Sequence, residues 1–197
     1  MAMETKSAGP GRFARLDLNR IASPAFVIDK CKLEENLQIL AAVSNASGVK
    51  ILTALKAFSL WSAAPLIRQY LDGACASGIY EARLAKKYYF PNKTDGEISV
   101  FSPAYRQSDI ESLSDICGHI IFNSVTQLEK YSPLLEGKNV QKALRLNPQI
   151  PLGEVATYDP SAAGSRLGVR LDDFDSGRLD QIDGLHIHNL CEQGLPE

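Results

Sequence analysis

A lysine, Lys56, follows a largely apolar run in the segment ILTALKAFS (51–59). Such a run predicts a strand buried in a parallel sheet, where an ammonium group is costly unless it is paired or loses its charge. Burial lowers the pKa of a lysine, and the neutral amine that results is a nucleophile. The alternative is that the strand ends at Lys56 and the ammonium group reaches water, as in most lysines. The segment alone leaves both interpretations open.

Other polar side chains also stand at the carboxyl ends of predicted strands, where barrel-type sheets place their active sites. They are Ser77, Asn123, Ser124, Arg145, Asn147, His186 and His188. Asn123 and Ser124 have the residue types that cap a following helix. Arg145 and Asn147 share one strand face by their spacing, either as a solvated strand end or as an interior polar pair. These positions are the candidates for binding and catalysis.

His186 and His188 also share one strand face, and a His-x-His pair can ligate zinc or iron if further ligands are supplied. The sequence has three histidines, and the third, His119, stands at the start of another predicted strand. Glu192 offers a carboxylate, but we predict no metal site. The sequence lacks a G-x-S-x-G nucleophile motif and a phosphate-binding P-loop, so these two kinds of chemistry have no support.

Short apolar segments alternate with amphipathic ones along the chain. Strands are predicted over residues 24–29, 50–57, 73–77, 98–105, 119–124, 142–148 and 184–189. Helices are predicted over residues 32–47, 61–72, 79–89, 108–117 and 125–136, with Asp29 and Gly48 as caps of the first and Ser108 as a cap of the fourth. This alternation favours a parallel α/β fold, and an eight-stranded (β/α) TIM-type barrel fits better than a Rossmann fold because no glycine-rich dinucleotide motif is present.

Six of these strands, from residue 50 onward, are of the barrel type, and a barrel must close its sheet. Barrels of this kind usually need about 250 residues. We therefore expect the 197-residue sequence to be the front part of a longer protein, with an incomplete barrel. Residues 1–22 are expected to be a flexible lead-in and residues 23–197 the barrel portion.

The composition is that of an ordinary globular protein, with 45% hydrophobic and 22% charged residues and a net charge of −2. Lys and Arg are scattered, so neither nucleic acid nor an acidic membrane is an expected partner. The four cysteines are too widely spaced for a metal clamp or a small disulfide scaffold. No apolar segment has the length of a signal-peptide core or a transmembrane helix, and we expect a cytoplasmic protein.

Several segments together resemble one enzyme family. They are ALKAFS, GACASGIYEARLA, IIFNSVTQLEKY, LRLNPQ, SRLGV and HIHNLCEQ. In this order they are similar to the carboxynorspermidine/carboxyspermidine decarboxylases, pyridoxal 5'-phosphate (PLP) enzymes built like alanine racemase and the ornithine and diaminopimelate decarboxylases. The likeness runs from about Ser23 to the last residue. HNLCEQ combined with LRLNPQ favours the polyamine branch, because the other decarboxylases typically have a Gly-Ser pair after the histidine.

The resemblance assigns roles to three residues that would contact the cofactor ring. Lys56 corresponds to the lysine that holds PLP as a Schiff base, and condensation with the aldehyde removes the isolated charge. His188 corresponds to the histidine that stacks on the ring. Arg166, in SRLG, corresponds to a basic residue near the phenolic oxygen of the cofactor, unless it forms a structural salt bridge.

The resemblance also places four further residues near the cofactor. Cys191 and Glu192 lie where relatives have phosphate-side residues, although this Cys-Glu pair departs from the Gly-Ser pattern. Ser77 and Glu81 fall in a segment that borders the cofactor, unless Glu81 is an ordinary helix residue.

The reaction that the resemblance implies is a decarboxylation. The substrate amine would displace Lys56 from the cofactor, whose ring would act as an electron sink when CO2 leaves. The product would be spermidine or norspermidine, and the enzyme a homodimer with shared sites. An acid that partners the ring nitrogen, a cysteine of the partner subunit and a glycine-rich phosphate loop would come from later sequence. Residues 24–29 would belong to a second, β-rich domain.

We expect this chain to be inactive alone, because two barrel strands and the phosphate loop would be missing. Two alternatives stay open. One is an enzyme of the same fold that decarboxylates diaminopimelate or ornithine. The other is a fragment that binds PLP without turnover.

Overall fold

Seven parallel strands form one curled sheet in the computed structural model, which describes residues 13, 15–92, 94–153 and 155–189. They are β1 (Leu52–Ala54), β2 (Gly73–Ala76), β3 (Glu97–Phe101), β4 (His119–Phe122), β5 (Gln141–Asn147), β6 (Val169–Arg170) and β7 (Gly184–Ile187). β1 to β5 lie side by side in chain order, each parallel to the next. The predicted barrel-type α/β class is confirmed, and the two-residue strand β6 is the one that the sequence pattern missed.

The strand β5 is the point at which the order of strands branches. β4 and β7 both pair with residues 143–144 of β5, so they lie along its opposite edges. β6 pairs with Leu146 and Asn147, and β7 also pairs with Leu146, which puts β6 on the β4 edge just beyond the end of β4. Among the described residues nothing pairs with the outer edges of β1 and β7, so the sheet is open.

The connections between the strands are helical. The α-helices are α1 (Lys30–Ser47), α2 (Ala64–Ile67), α3 (Ile79–Leu84), α4 (Gln107–Ile116) and α5 (Val125–Tyr131). A 3-10 turn, Trp61–Ala63, precedes α2, a π turn, Ala85–Tyr89, follows α3, and a 3-10 turn, Ser132–Leu135, follows α5. Further 3-10 turns are Leu18–Arg20, Ala156–Tyr158, Leu171–Asp173 and Ser176–Gln181. None of the helices in the described part of the chain is long and apolar enough to cross a membrane.

The ends of α1 follow from its local sequence. The Asp29 carboxylate accepts a hydrogen bond from the backbone N–H of Lys32 at 3.1 Å. Gly48 closes the helix with φ = 73°, a left-handed conformation that glycine adopts without a steric penalty. Both predicted caps of this helix are therefore confirmed.

The predicted Ser108 cap of α4 is wrong. The helix begins at Gln107, and its capping residue is Arg106, whose backbone N–H donates to the Asp109 carboxylate at 3.4 Å. An aspartate at the third helical position satisfies this N–H from inside the helix, so the helix starts earlier than a serine cap would place it.

Residues 24–29, predicted as a strand, have no regular secondary structure and pair with no described strand. Phe26, Val27 and Ile28 are exposed. A strand needs a neighbouring strand for its backbone N–H and C=O groups, and the described residues place no strand beside this segment. Its place in a second domain, and the division of the chain at residue 22, stay predictions.

The sheet has two chemically different faces because side chains alternate along each strand. The outer face packs against the helices in one apolar core. Its sheet residues are Ile98, Val100, Ile120, Phe122, Leu144 and Leu146, and its helix residues include Ile67, Ala82, Ile110, Leu113 and Leu128. On β7, Leu185 and Ile187 pair with Leu144 and Leu146 but are 47% and 58% exposed. The core therefore covers the outer face up to β5 and not β7.

Candidate active site

The inner face of the sheet, turned away from the helices, carries polar side chains toward the carboxyl ends of the strands. They are Lys56, Cys75, Asn123, Arg145, His186 and His188. The register places Cys75 beside Ala54 and His186 beside Arg145. His188, two residues beyond His186, continues the same face, and Lys56, in the turn after β1, is close enough for its charge to act on both histidines. The carboxyl ends of barrel strands line the active site, so this rim is the candidate site.

Lys56 stands just past the end of β1. The strand ends at Ala54, whose carbonyl oxygen accepts hydrogen bonds from the N–H groups of Ala57 and Phe58, both at 3.0 Å. The turn that these bonds close leaves the Lys56 side chain exposed. Of the two interpretations of the sequence, the structure shows the one in which the ammonium group reaches water. Lys56 nevertheless lies close enough to the inner face for its positive charge to lower the pKa of His186 and His188.

Arg145 is a buried cation on the inner face, 5% exposed. Its guanidinium lies 4.6 Å from the centre of the Phe101 ring and donates a hydrogen bond to the carbonyl oxygen of His188 at 3.3 Å. Burial lowers its pKa. Among the described residues no carboxylate lies within ion-pair distance of it. A buried cation without a counter-ion is costly, which indicates a place for an anionic group.

Arg145 and Asn147 are both buried, which resolves the two alternatives in favour of an interior polar pair. Asn147 accepts a hydrogen bond from the N–H of Gln149 at 2.9 Å and so begins the following loop. Phe101, whose ring lies against the Arg145 guanidinium, is not among the residues that the sequence pattern singles out. Period-two alternation along residues 97–101, with Ile98 and Val100 in the core, is the signal that would have found it.

His186 and His188 form the third part of the rim. The His186 ring lies 5.3 Å from Phe101 and 6.5 Å from His188 between ring centres. Burial first, then the charges of Arg145, His188 and Lys56, lower the pKa of His186 to about 4. Burial, Arg145 and Lys56 likewise lower the pKa of His188. Both imidazoles are therefore neutral near pH 7, and the buried Nδ1 of His186 makes no hydrogen bond with any described residue.

Ser77 and Glu81 meet at the carboxyl end of β2. The Glu81 carboxylate accepts a hydrogen bond from the backbone N–H of Ser77 at 2.7 Å, so it shapes the turn into α3. Cys75, on the same strand, has its pKa raised by burial, with Lys56 acting in the opposite direction. Glu81 thus has a structural contact, and the cofactor-binding role of Ser77 stays a prediction.

Of the two predicted caps of α5, Ser124 is confirmed and Asn123 is wrong. The Ser124 hydroxyl accepts from the N–H of Gln127 at 3.2 Å. The Asn123 side chain instead reaches across to residues 166–168, where it accepts from the N–H of Gly168 and donates to the carbonyl oxygen of Arg166. A long-range contact of this kind outcompetes the local cap, and the sequence gives no signal of it.

Arg166 has an exposed side chain and, within the described ranges, forms no salt bridge, so the alternative of a structural ion pair finds no support there. Its role near a cofactor oxygen stays a prediction. Cys191 and Glu192 lie outside the residues that the structure describes. In the described part of the chain no three His, Cys, Asp or Glu side chains are placed to hold a metal ion.

A cavity of about 600 Å³ lies at the opposite, amino ends of the strands. Lys50, Asp72 and Glu97 are among its lining residues, and Glu97 bridges the Lys50 ammonium (3.3 Å) and His119 (2.6 Å). None of the rim residues lines this cavity. Because barrel enzymes place their chemistry at the carboxyl ends, we assign the candidate site to the rim.

Comparison with curated proteins supports the resemblance seen in the sequence. The chain is 37% identical over 174 residues to a carboxynorspermidine/carboxyspermidine decarboxylase of Campylobacter jejuni, covering 88% of the chain and 44% of that protein. A protein of the same name from Herminiimonas arsenicoxydans is 38% identical over 176 residues, 87% of the chain and 45% of the relative. A carboxyaminopropylagmatine decarboxylase of Synechocystis is 34% identical over 175 residues, 89% of the chain and 44% of the relative. The predicted likeness to decarboxylases is thereby confirmed, although no family model matches the chain.

Solved structures agree with the fold. The crystal structure of carboxynorspermidine decarboxylase from Campylobacter jejuni, complexed with norspermidine, superposes with a TM-score of 0.75 at 36% identity, over 88% of this chain and 42% of that one. Diaminopimelate decarboxylase from Helicobacter pylori, complexed with L-lysine, gives 0.70 at 19% identity, over 87% and 45%, and supports the fold alone. The chain spans less than half the length of these relatives.

Proposed function

We propose that this chain supplies the Lys56-bearing part of a PLP-dependent decarboxylase that acts on a carboxylated polyamine. The observation that carries the proposal is the rim of the inner face, where exposed Lys56 stands near two neutral histidines, one of which accepts a hydrogen bond from buried Arg145. Relatives at 34–38% identity support the choice of reaction. We also propose that the whole enzyme is a homodimer and that it is located in the cytoplasm.

The residues of the rim fit PLP, which is a flat, anionic aromatic aldehyde. Lys56 offers an amine that solvent and ligands can reach. Arg145 offers a buried positive charge that lacks a carboxylate partner among the described residues. His188 offers a half-buried neutral imidazole, whose flat face can stack on an aromatic ring. The positive charges of Lys56 and Arg145 would both attract the anionic groups of the cofactor.

In the proposed enzyme each of these residues has a distinct task. Lys56 would hold the aldehyde carbon of the cofactor, and its exposure at the strand end would give an incoming substrate amine access to it. His188 would support the cofactor ring, and Arg145 would bind an anionic group by a charge-assisted hydrogen bond. When bound, PLP supplies an electron sink for the carbanion that loss of CO2 leaves. Arg166, Ser77, Cys191 and Glu192 remain proposed contacts of the cofactor.

The proposed substrate class is a carboxylated polyamine in the broad sense. Identities of 37%, 38% and 34% to the three relatives do not separate carboxynorspermidine and carboxyspermidine from carboxyaminopropylagmatine. The diaminopimelate decarboxylases match at 19% identity or little more, so their substrate has weaker support. A chain that binds PLP without turnover is the remaining alternative.

The test is to mix the purified chain with PLP, reduce with borohydride and map the adduct by mass spectrometry. We expect a phosphopyridoxyl group on Lys56 and none in Lys56→Arg. Lys50→Arg is the matched control, because Lys50 is also exposed and precedes the same strand at its amino end. An adduct that is spread evenly over exposed lysines, or that persists in Lys56→Arg, would contradict the assignment of Lys56.

The substrate is tested by measuring CO2 release from carboxynorspermidine, carboxyspermidine, carboxyaminopropylagmatine, diaminopimelate and ornithine. We expect the whole protein to act on one of the first three. For the 197-residue chain we expect the adduct on Lys56 without CO2 release, because its sheet is open. Turnover of ornithine or diaminopimelate alone would overturn the polyamine assignment and leave the PLP assignment standing.

A further inference from the structure

Asn123 uses both ends of its side-chain amide on one turn of the chain. Its Oδ1 accepts a hydrogen bond from the N–H of Gly168 at 2.7 Å, and its Nδ2 donates to the carbonyl oxygen of Arg166 at 2.9 Å. The two partners lie more than 40 residues away in sequence. A side-chain amide offers a donor and an acceptor side by side, whereas an ionised carboxylate cannot donate and an aliphatic side chain can do neither.

A second amide fixes Asn123 itself. The Gln127 side chain accepts a hydrogen bond from the backbone N–H of Asn123 at 2.9 Å and donates to the carbonyl oxygen of Pro103 at 2.7 Å. Pro103 belongs to the loop after β3, and Asn123 follows β4. The two amides therefore join the loops after β3 and β4 to the turn that precedes β6, all at the carboxyl rim.

The turn held by Asn123 packs directly on Arg145. Gly168 has φ = +84°, and a Cβ added there would lie 3.0 Å from both the Cγ and the carbonyl oxygen of Arg145, and 3.1 Å from the N of Asn147. Pairing of β6 with β5 begins at the next residue, Val169. Gly168 thus covers the aliphatic stem of Arg145 at a distance that leaves no room for a side chain.

We propose that Asn123 is a positioning residue for Arg145. Its amide clamps the turn 166–168 over the Arg145 stem, and the clamp keeps the guanidinium on the Phe101 ring and facing the inner face. The claim that Arg145 binds an anionic ligand rests on the proposed function. The claim that Asn123 holds the turn 166–168 over Arg145 does not depend on it. The substitution Asn123→Ala removes both hydrogen bonds and frees the turn to lift from Arg145.

The clamp is tested with phenylglyoxal, which modifies accessible arginines and whose products are quantified by mass spectrometry. Arg68 is the internal reference because it is exposed. In the unaltered chain we expect Arg145 to react far more slowly than Arg68. In Asn123→Ala we expect the Arg145 rate, relative to that of Arg68, to rise about tenfold, the effect of losing two hydrogen bonds, of which one is exposed and one is partly buried. Asn92→Ala is the matched control, since it removes an exposed amide contact to Asp95.

A second variant reaches the turn without touching Asn123. Gly168→Ala forces the turn away from Arg145 and should raise the Arg145 rate to a similar extent. Gly137→Ala is its control, because Gly137 has a similar φ of +71° but open space around it. An unchanged Arg145 rate in both Asn123→Ala and Gly168→Ala would overturn the clamp. Should neither variant fold, hydrogen exchange of the Gly168 amide in the unaltered chain decides, and an unprotected amide would refute the contact.

PLP binding by the same variants separates the clamp from the proposed function. If both are correct, Asn123→Ala weakens PLP binding about tenfold while Asn92→Ala does not. If the unaltered chain fails to bind PLP but Arg145 is still exposed by Asn123→Ala, the proposed function fails and the clamp holds. If PLP binds and Asn123→Ala changes neither the binding nor the Arg145 rate, the clamp fails alone.

Discussion

Lowering the pH from about 7 to about 4 should destabilise this chain in part through His186, whose pKa is the more strongly lowered of the two rim histidines. Its folded-state pKa is about 4, against 6.5 for an unhindered histidine, because burial and the charges of Arg145, His188 and Lys56 oppose protonation. Between these two values the unfolded chain binds a proton that the folded chain does not. The contribution of neutral His186 to the free energy of unfolding is therefore complete above about pH 6.5 and is lost progressively as the pH falls toward 4.

The size of the effect follows from the difference between the two pKa values. At about 1.4 kcal/mol for each pH unit, the difference corresponds to roughly 3 kcal/mol. Solvent reaches part of the ring and screens the charges, so we expect about 2 kcal/mol in practice. This is a substantial share of the stability of a domain of ordinary size, which is about 5–15 kcal/mol.

The assay is urea unfolding of the chain and of His186→Gln between about pH 7 and about pH 4.5. As the pH is lowered, the free energy of unfolding of the unaltered chain should fall more steeply than that of His186→Gln. The difference between the two free energies should change by about 2 kcal/mol over this range, to the disadvantage of the unaltered chain. His119→Gln serves as the control, since it keeps His186 and should retain the steep fall. A difference between the unaltered chain and His186→Gln that is constant with pH would refute the reasoning.

Three further substitutions test the packing. Arg145→Met should raise the free energy of unfolding by about 1 kcal/mol, because it removes a buried charge that has no carboxylate partner among the described residues, and should weaken PLP binding, measured by titration, at least about tenfold. Gly73→Ala should cost more than about 3 kcal/mol in urea unfolding, since the new Cβ overlaps a backbone carbonyl of β3, whereas Gly78→Ala has open space and should be nearly neutral; equal effects would contradict this. Tyr105→Phe should cost about 1–3 kcal/mol because its buried hydroxyl accepts from a backbone N–H and donates to a backbone carbonyl, and exposed Tyr80→Phe is its control.

The parts of the site that the sequence predicts are those that depend on local rules. Alternation along β5 places Arg145 and Asn147 on one face, and the same rule pairs His186 with His188. Asp29, Gly48 and Ser124 have the residue types that their caps require, and the structure uses them as predicted. Period and cap chemistry act over a few residues, so a single sequence contains the information.

The parts that the sequence does not predict depend on contacts between distant segments. Asn123 has the residue type of a cap, yet it binds a turn beyond β5. β6 is only two residues long, and its pairing partners on β5 are more than 20 residues away in the sequence. A strand this short has no alternating pattern from which it could be predicted. The hydrophobic pattern also does not predict that β1 ends before Lys56, because the apolar run continues past the strand through Leu55 and into the turn.

The polar inner face explains why binding and stability should oppose each other in this chain. Barrel interiors are usually filled by layers of branched apolar side chains that stabilise the fold. Here Arg145 and His186 occupy inward positions, and each is less easily charged than in water because it is buried. The apolar core lies instead on the outer face, under the helices. Since the inner face contributes little favourable burial, replacing its polar groups with apolar ones should stabilise the chain and remove its proposed affinity for an anion.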